Sequence, residues 1–197
     1  MDYLSIIYSY YPEDNDLRQL LLKHSRQVAQ RALLIAGKHP EWHVDREFLE
    51  AAAMLHDIGV FRCDAPGIFC QGTEPYIRHG MIGAELIRNL PQSLAEKILP
   101  QSPGAKEALA RVCERHTGAG ITKEEIERQG LPLPPRDFLP ETLEEQLICY
   151  ADKFYSKSRP DQEKTVEQAA QSLQKFGEEG VKRFLAWAEK FEVMSDK

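Results

Sequence analysis

Four cysteines in 197 residues, at positions 63, 70, 113 and 149, are widely spaced, and none forms a Cys-x-x-Cys pair. That excludes a disulfide framework, a zinc ribbon and a thioredoxin-type redox site, and leaves Cys63, Cys70, Cys113 and Cys149 expected as free, mostly buried thiols. Surplus basic charge is also missing: Lys and Arg total 25 against 31 for Asp and Glu, a net charge of −6. Such a balance removes the long-range pull of a phosphate backbone, so no nucleic-acid polymer is expected as a partner. Long apolar runs are lacking too. The longest, Ala51 to Leu55 and Ala32 to Ala36, fall far short of a membrane span, so no membrane partner is expected. The N-terminal MDYLSIIYSYYPED has no basic start and soon meets Pro12, which does not suit a signal peptide, and a cytoplasmic location is expected. No alternating strand pattern of useful length is found.

What is present is helical periodicity. Hydrophobic residues at 42% and charged residues at 28% match an ordinary globular mixture, and the length suits one domain with a substantial core. From Asp16 to Lys38, Leu17, Leu21, His24, Val28, Ala32 and Ile35 recur on one helix face, which turns His24 inward. A second helix over Asp45 to Asp57 starts at a capping residue and ends before Gly59, so His56 and Asp57 occupy its last turn. Residues 60 to 78 read as a long loop beside a site. Further helices are expected over His79 to Asn89, Ser93 to Leu99 and Ala105 to His116, the last two separated by the breakers Pro100, Pro103 and Gly104. Thr122 with Glu125 has the form of a capping box. The proline-rich LPLPPRDFLP then makes a stiff spacer. Helices over Thr142 to Ser158, Asp161 to Phe176 and Glu178 to Val193 complete an all-α, single-domain reading, with Trp187 and Phe191 expected in the core or at a homodimer surface.

His24, His56, Asp57 and Asp152 are polar residues on faces that lean inward. Burying them unpaired would be costly, whereas a divalent cation turns two imidazoles and two carboxylates into a satisfied cluster. Neighbouring residues on a helix point roughly 100° apart, so His56 and Asp57 converge on one ion only at a helix end, which Gly59 supplies. His79 and His116, each at a helix terminus, are candidates for a second ion bridged by Asp57. Singly, each residue has a plain structural reading: His24 as a bonded core histidine, Asp57 as a partner of Arg62, His116 as a favourable helix end. Jointly, the metal site explains them better. Lys153, Arg115 and Arg62 are the chosen candidates for contact with a phosphate, from a group that also includes Arg78 and Lys157. His39 and His43, in a turn, receive no functional role.

The segments KHSRQVAQRA, AAMLHDIG, HGMIGAELIR, ERHTGAG and ICYADK, in this order, resemble the HD superfamily of metal-dependent phosphohydrolases in its HDIG form, over about residues 17 to 158. The resemblance implies one metal held by His24, His56, Asp57 and Asp152, and a second held by His79 and His116. Fe, Mn, Co, Ni, Zn and Mg are all compatible, and the ion count is one or two. Val60 stands where the nucleotidase branch carries a catalytic Glu. It also follows Gly59 where the cyclic-diguanylate branch has Lys, so neither branch is indicated. The expected reaction is hydrolysis of a phosphate ester or anhydride, of a nucleotide or another small phosphorylated metabolite, by metal-activated water, with Asp57 and Lys153 as the catalytic residues. The alternatives are an HD-type diiron oxygenase acting on a small polyol or phosphonate, and a regulatory nucleotide-binding module without turnover.

Overall fold

The computed structural model describes residues 2–98 and 104–192. Ten α-helices carry the architecture among the described residues: α1 (Tyr3–Tyr10), α2 (Asp16–Lys38), α3 (Arg46–Leu55), α4 (His79–Arg88), α5 (Gln92–Ile98), α6 (Ala105–Arg115), α7 (Lys123–Gln129), α8 (Leu143–Asp152), α9 (Val166–Leu173) and α10 (Glu178–Glu192). The fold is all-α, with two minor antiparallel pairs, β1 (Asp64–Ala65) with β2 (Cys70–Gln71) and β3 (Tyr155–Ser156) with β4 (Arg159–Glu163). Among the described residues, no helix is long and apolar enough to cross a membrane. The expected helix end at Leu99, the breakers Pro100 and Pro103, and Val193 lie outside the described residues.

Helix α2 is the central rod. Asn15 caps its start by accepting from the Arg18 amide, and Leu21, His24, Val28, Ala32 and Ile35 are buried along one side. Helices α3 and α8 pack against that side, and α6 packs on both of them and on α4. A continuous apolar core runs from Ile6 and Ile7 of α1 to Phe184 and Phe191 of α10, joined by aromatic stacking of Tyr150 on Phe184. All four cysteines are free and buried. Thr122 and Glu125 form the capping box that starts α7, and Gly130 ends it in the left-handed region.

Two features depart from the sequence reading. Residues 142 to 158 are not one helix: α8 ends at Asp152, and the chain turns into the β3–β4 hairpin. Pro160 has no amide hydrogen and disfavours helical backbone at Arg159, which suits an edge strand. The following helix starts at Val166, not Asp161, because Thr165 and Gln168 form a capping box that fixes its first turn. The hairpin is tied to the end of α8 by the Lys164 amide, which donates to the Phe154 carbonyl at 2.9 Å.

Candidate metal centre

The six residues of the inward-facing set come from five segments of the chain. His24 lies midway along α2, His56 caps the C-terminus of α3, and Asp57 follows it in the turn. His79 opens α4, His116 caps α6 and Asp152 ends α8. Glycines allow these ends to meet. A Cβ at Gly59 would lie 2.4 Å from both the Gly83 nitrogen and the His79 carbonyl oxygen, and a Cβ at Gly80 would lie 2.5 Å from the Cys113 carbonyl oxygen. The turn after α3 therefore touches the backbone of α4, and α4 touches α6. The Tyr11 hydroxyl, from the end of α1, donates to the Ile58 carbonyl at 2.8 Å and fixes the turn from behind.

Asp57 joins two groups. In the first, His24 Nε2 is 3.2 Å from Asp57 Oδ2 and 2.9 Å from Asp152 Oδ1, and His56 Nε2 is 3.1 and 3.5 Å from the same oxygens. In the second, Asp57 Oδ1 is 3.4 Å from Nε2 of His79 and 3.4 Å from Nε2 of His116, and those nitrogens are 3.0 Å apart. The ligand atoms within each group lie within 4.8 Å of one another. All six residues are buried; Asp57 and His56 are 0% exposed.

The tautomers follow from the backbone. His56, His79 and His116 each place Nδ1 2.6–2.7 Å from a main-chain carbonyl, of Ala53, Tyr76 and Cys113 respectively. A carbonyl only accepts, so Nδ1 carries a proton and Nε2 is the nitrogen turned to the centre, where a bound cation would take its lone pair. His24 Nε2, His56 Nε2 and both Asp57 oxygens are buried without a well-directed hydrogen-bond partner, despite their proximity. The Nε2 atoms of His79 and His116, both turned to the centre, would repel across 3.0 Å as lone pairs without a positive charge between them. This set of imidazoles and carboxylates suits a divalent cation of the borderline class.

The electrostatics are polarised. Burial works to raise Asp57, but Lys157, His56 and the neighbouring His116 and His24 outweigh it and hold the carboxyl well below its usual range. Asp152 is likewise held low against burial by Lys153, His24 and His56. Burial depresses His56, yet Asp57 and Asp152 overcome it and raise the imidazole to about 9. His79 goes the other way: burial and the His116 charge bring it down to about 3 against the pull of Asp57.

A cavity of about 410 Å³ opens onto this centre, with His79, His116 and Asp152 in its wall. Lys153 also lines it; its Nζ is 2.6 Å from Asp152 Oδ2 and donates to the His116 carbonyl. Arg62 and Arg115, expected beside Lys153, do not line it. Arg62 is exposed with its guanidinium 5.7 Å from the Phe61 ring, and Arg115 pairs with Glu141 and Glu145. Lys157 takes their place, its amine in an ion pair with Asp57 Oδ2. Reading residues 142 to 158 as one helix hid this, since only the hairpin swings Lys157 back over Asp57. Tyr76 had no sequence signal; its ring stacks on His79 at 4.6 Å, and burial raises its phenol to about 12.

The profile of the HD-domain family, described as "HD domain", matches residues 21–156. An uncharacterised protein of Methanocaldococcus jannaschii is 38% identical over 136 residues, which cover 68% of this chain and 65% of that one. Proteins named tRNA (cytidine(56)-2′-O)-methyltransferase from two further organisms are also similar. That of Picrophilus torridus is 33% identical over 140 residues, 71% of this chain and 33% of its own length; that of Thermoplasma volcanium is 29% identical over 188 residues, 95% and 45%. This chain thus spans under two thirds of each of these relatives. No solved structure gives a significant match.

Proposed function

Because this chain belongs to the HD-domain family, we propose that it is a metal-dependent phosphohydrolase that cleaves a phosphate ester or anhydride of a small phosphorylated metabolite, with nucleotides as the leading class. The observation that carries this reading is the sharing of Asp57 between two buried groups of ligand atoms beside a lysine-lined cavity. His24, His56, Asp57 and Asp152 would hold one ion, and Asp57, His79 and His116 a second. A divalent cation at such a centre supplies Lewis-acid polarisation and lowers the pKa of water toward neutrality.

The remaining steps belong to the chain. The backbone carbonyls of Ala53, Tyr76 and Cys113 keep the Nε2 lone pairs on the ligand side. Lys153 and Lys157, each already beside a centre carboxylate, hold phosphoryl oxygens and offset the charge that develops as the leaving oxygen departs. Water adds to phosphorus, the phosphorus–oxygen bond to the leaving group breaks, and the proton of the water ends on that leaving oxygen or in solvent. The methyl-transfer activity named for two relatives belongs to proteins of which the match covers less than half; the reading here rests on the His/Asp centre.

Elemental analysis of the purified protein, followed by a panel of phosphomonoesters, diesters and nucleotides with Mn, Co, Ni and Mg, tests it. Inorganic phosphate or nucleotide release that depends on the metal is the expected result. Bound iron with oxygen consumption on adding a small polyol or phosphonate, and no phosphate release, would overturn it in favour of an oxygenase. Tight nucleotide binding with no product under any metal would overturn it in favour of a regulatory module.

A further inference from the structure

The cavity continues past the metal centre onto a wall built from residues beyond the family-matched stretch, which ends at position 156. Lys164, Ser172, Lys175 and Phe176 line that wall. Lys164 is half-buried and rigidly placed: its amide donates to the Phe154 carbonyl, Thr165 beside it caps α9, and its Nζ donates to the Lys153 carbonyl at 3.3 Å and Ser172 Oγ at 3.5 Å. Ser172 donates its own proton to the Ala169 carbonyl, so its oxygen faces Lys164 as an acceptor. Lys175 lies with its Nζ 4.9 Å from the Phe176 ring centroid.

Neither amine has a carboxylate partner among the described residues, unlike Lys153 and Lys157, which pair with Asp152 and Asp57. Of the hairpin acids just before Lys164, Asp161 pairs with Lys23 and Glu163 with Arg31 on α2. Burial lowers the Lys164 amine from its ordinary value; Asp152 opposes this, and Lys153, Lys175 and Arg159 reinforce it. A half-buried ammonium among other cations, with only neutral acceptors, is stabilised by an incoming anion.

We propose that Lys164, with Ser172 and Lys175, forms a second anion subsite on this cavity, which takes a second phosphate group of the substrate and makes small bisphosphates the preferred class. The inference rests on the phosphohydrolase reading for the first phosphate and adds the second. Lys164 joins β4 to α9, Ser172 lies on α9 and Lys175 in the turn that follows it, so the subsite is built by the segment after the family-matched stretch.

Binding and turnover are measured separately, so that the two readings fail independently. The metal-loaded protein is titrated calorimetrically with short alkane-α,ω-bisphosphonates, the matching alkylphosphonates and the matching phosphonocarboxylates, none of which carries a hydrolysable P–O–C bond. At least one bisphosphonate should bind about tenfold or more tighter than its monophosphonate, as a charge-assisted contact would give. Lys164→Met, which keeps the aliphatic stem, should bring that ratio to within about twofold, whereas Lys182→Met, removing an exposed charge paired with Glu179, should leave the ratio as it was. Absence of any bisphosphonate advantage, its survival in Lys164→Met, or an equal advantage for the carboxylate would each overturn the proposal. Phosphate release from the ester panel is scored apart: a bisphosphonate advantage lost in Lys164→Met supports the subsite even if no ester is cleaved.

Discussion

At Asp57 two demands meet in one carboxylate, since one oxygen faces His24 and His56 and the other faces His79 and His116. Asp57→Asn keeps the shape and removes the charge, so both groups lose their shared anionic ligand. Metal content should fall sharply, and any metal-dependent phosphate release should drop by at least about 100-fold, the scale seen when even outer-shell partners of a metal are lost. Plasma emission analysis and a phosphate assay check this. The titrations at the centre also set a pH dependence. His56, raised to about 9, stabilises the metal-free fold fully below its ordinary 6.5 and loses that contribution as pH rises through about 9. His79, lowered to about 3, has the opposite sign: its neutral form is favoured in the fold, and stability falls as pH drops below 6.5 toward 3. Chelator-treated protein should therefore be most stable near pH 6.5, as followed by urea denaturation across pH. Of these residues, the six that cluster here were singled out in the sequence from helical faces and helix ends. Lys157 was placed by a hairpin that periodicity does not announce, and Arg115 was withdrawn by Glu141 and Glu145, acids 26 and 30 positions away in sequence.

Among the elements, the close approach of the turn after α3 to α4 is an exacting contact, because two backbones meet with no side chain between them. Gly59→Ala puts a methyl 2.4 Å from backbone atoms of His79 and Gly83, so one segment has to move. The expected cost is about 1–3 kcal/mol, with weaker binding of the ion shared by His79 and His116, checked by thermal melts and metal titration. Tyr11→Phe tests the support behind the same turn. It leaves the buried Ile58 carbonyl without its donor and should cost about 1–3 kcal/mol in a denaturant titration. Helix existence was legible along most of the chain because the apolar repeat and the caps at Asp45 and Thr122 agree. The segment from 153 to 165 was not, since its polar residues follow neither helical nor strand periodicity and its register depends on Pro160 and on the Lys164–Phe154 hydrogen bond.

For the molecule as a whole, the centre concentrates four imidazoles, two carboxylates and two ammonium groups inside a helical core. A cation that binds the folded chain and not the unfolded one stabilises it by about 2.7 kcal/mol at 100 times its dissociation constant. For a chain of this size that is a rise of roughly 5–10 °C in Tm. Saturating Mn or Co against EDTA, followed by circular dichroism, should show a shift of this order with the helical signal retained below the transition.

By itself the sequence determined the all-α character, the inward faces of α2 and α8, and the histidines and aspartates that a helical chain could not bury unaided. Those properties are local: they depend on periodicity, caps and the chemistry of single side chains. Lys153, at the end of α8, was already a candidate, but only the tertiary structure decided which other cations stand at the cavity, because Lys157 and Lys164 reach it through a hairpin fold-back, while Arg62 and Arg115 are drawn away by the Phe61 ring and by distant acids. A charged side chain's destination is set by where its partners sit in space, and no period along the chain encodes that.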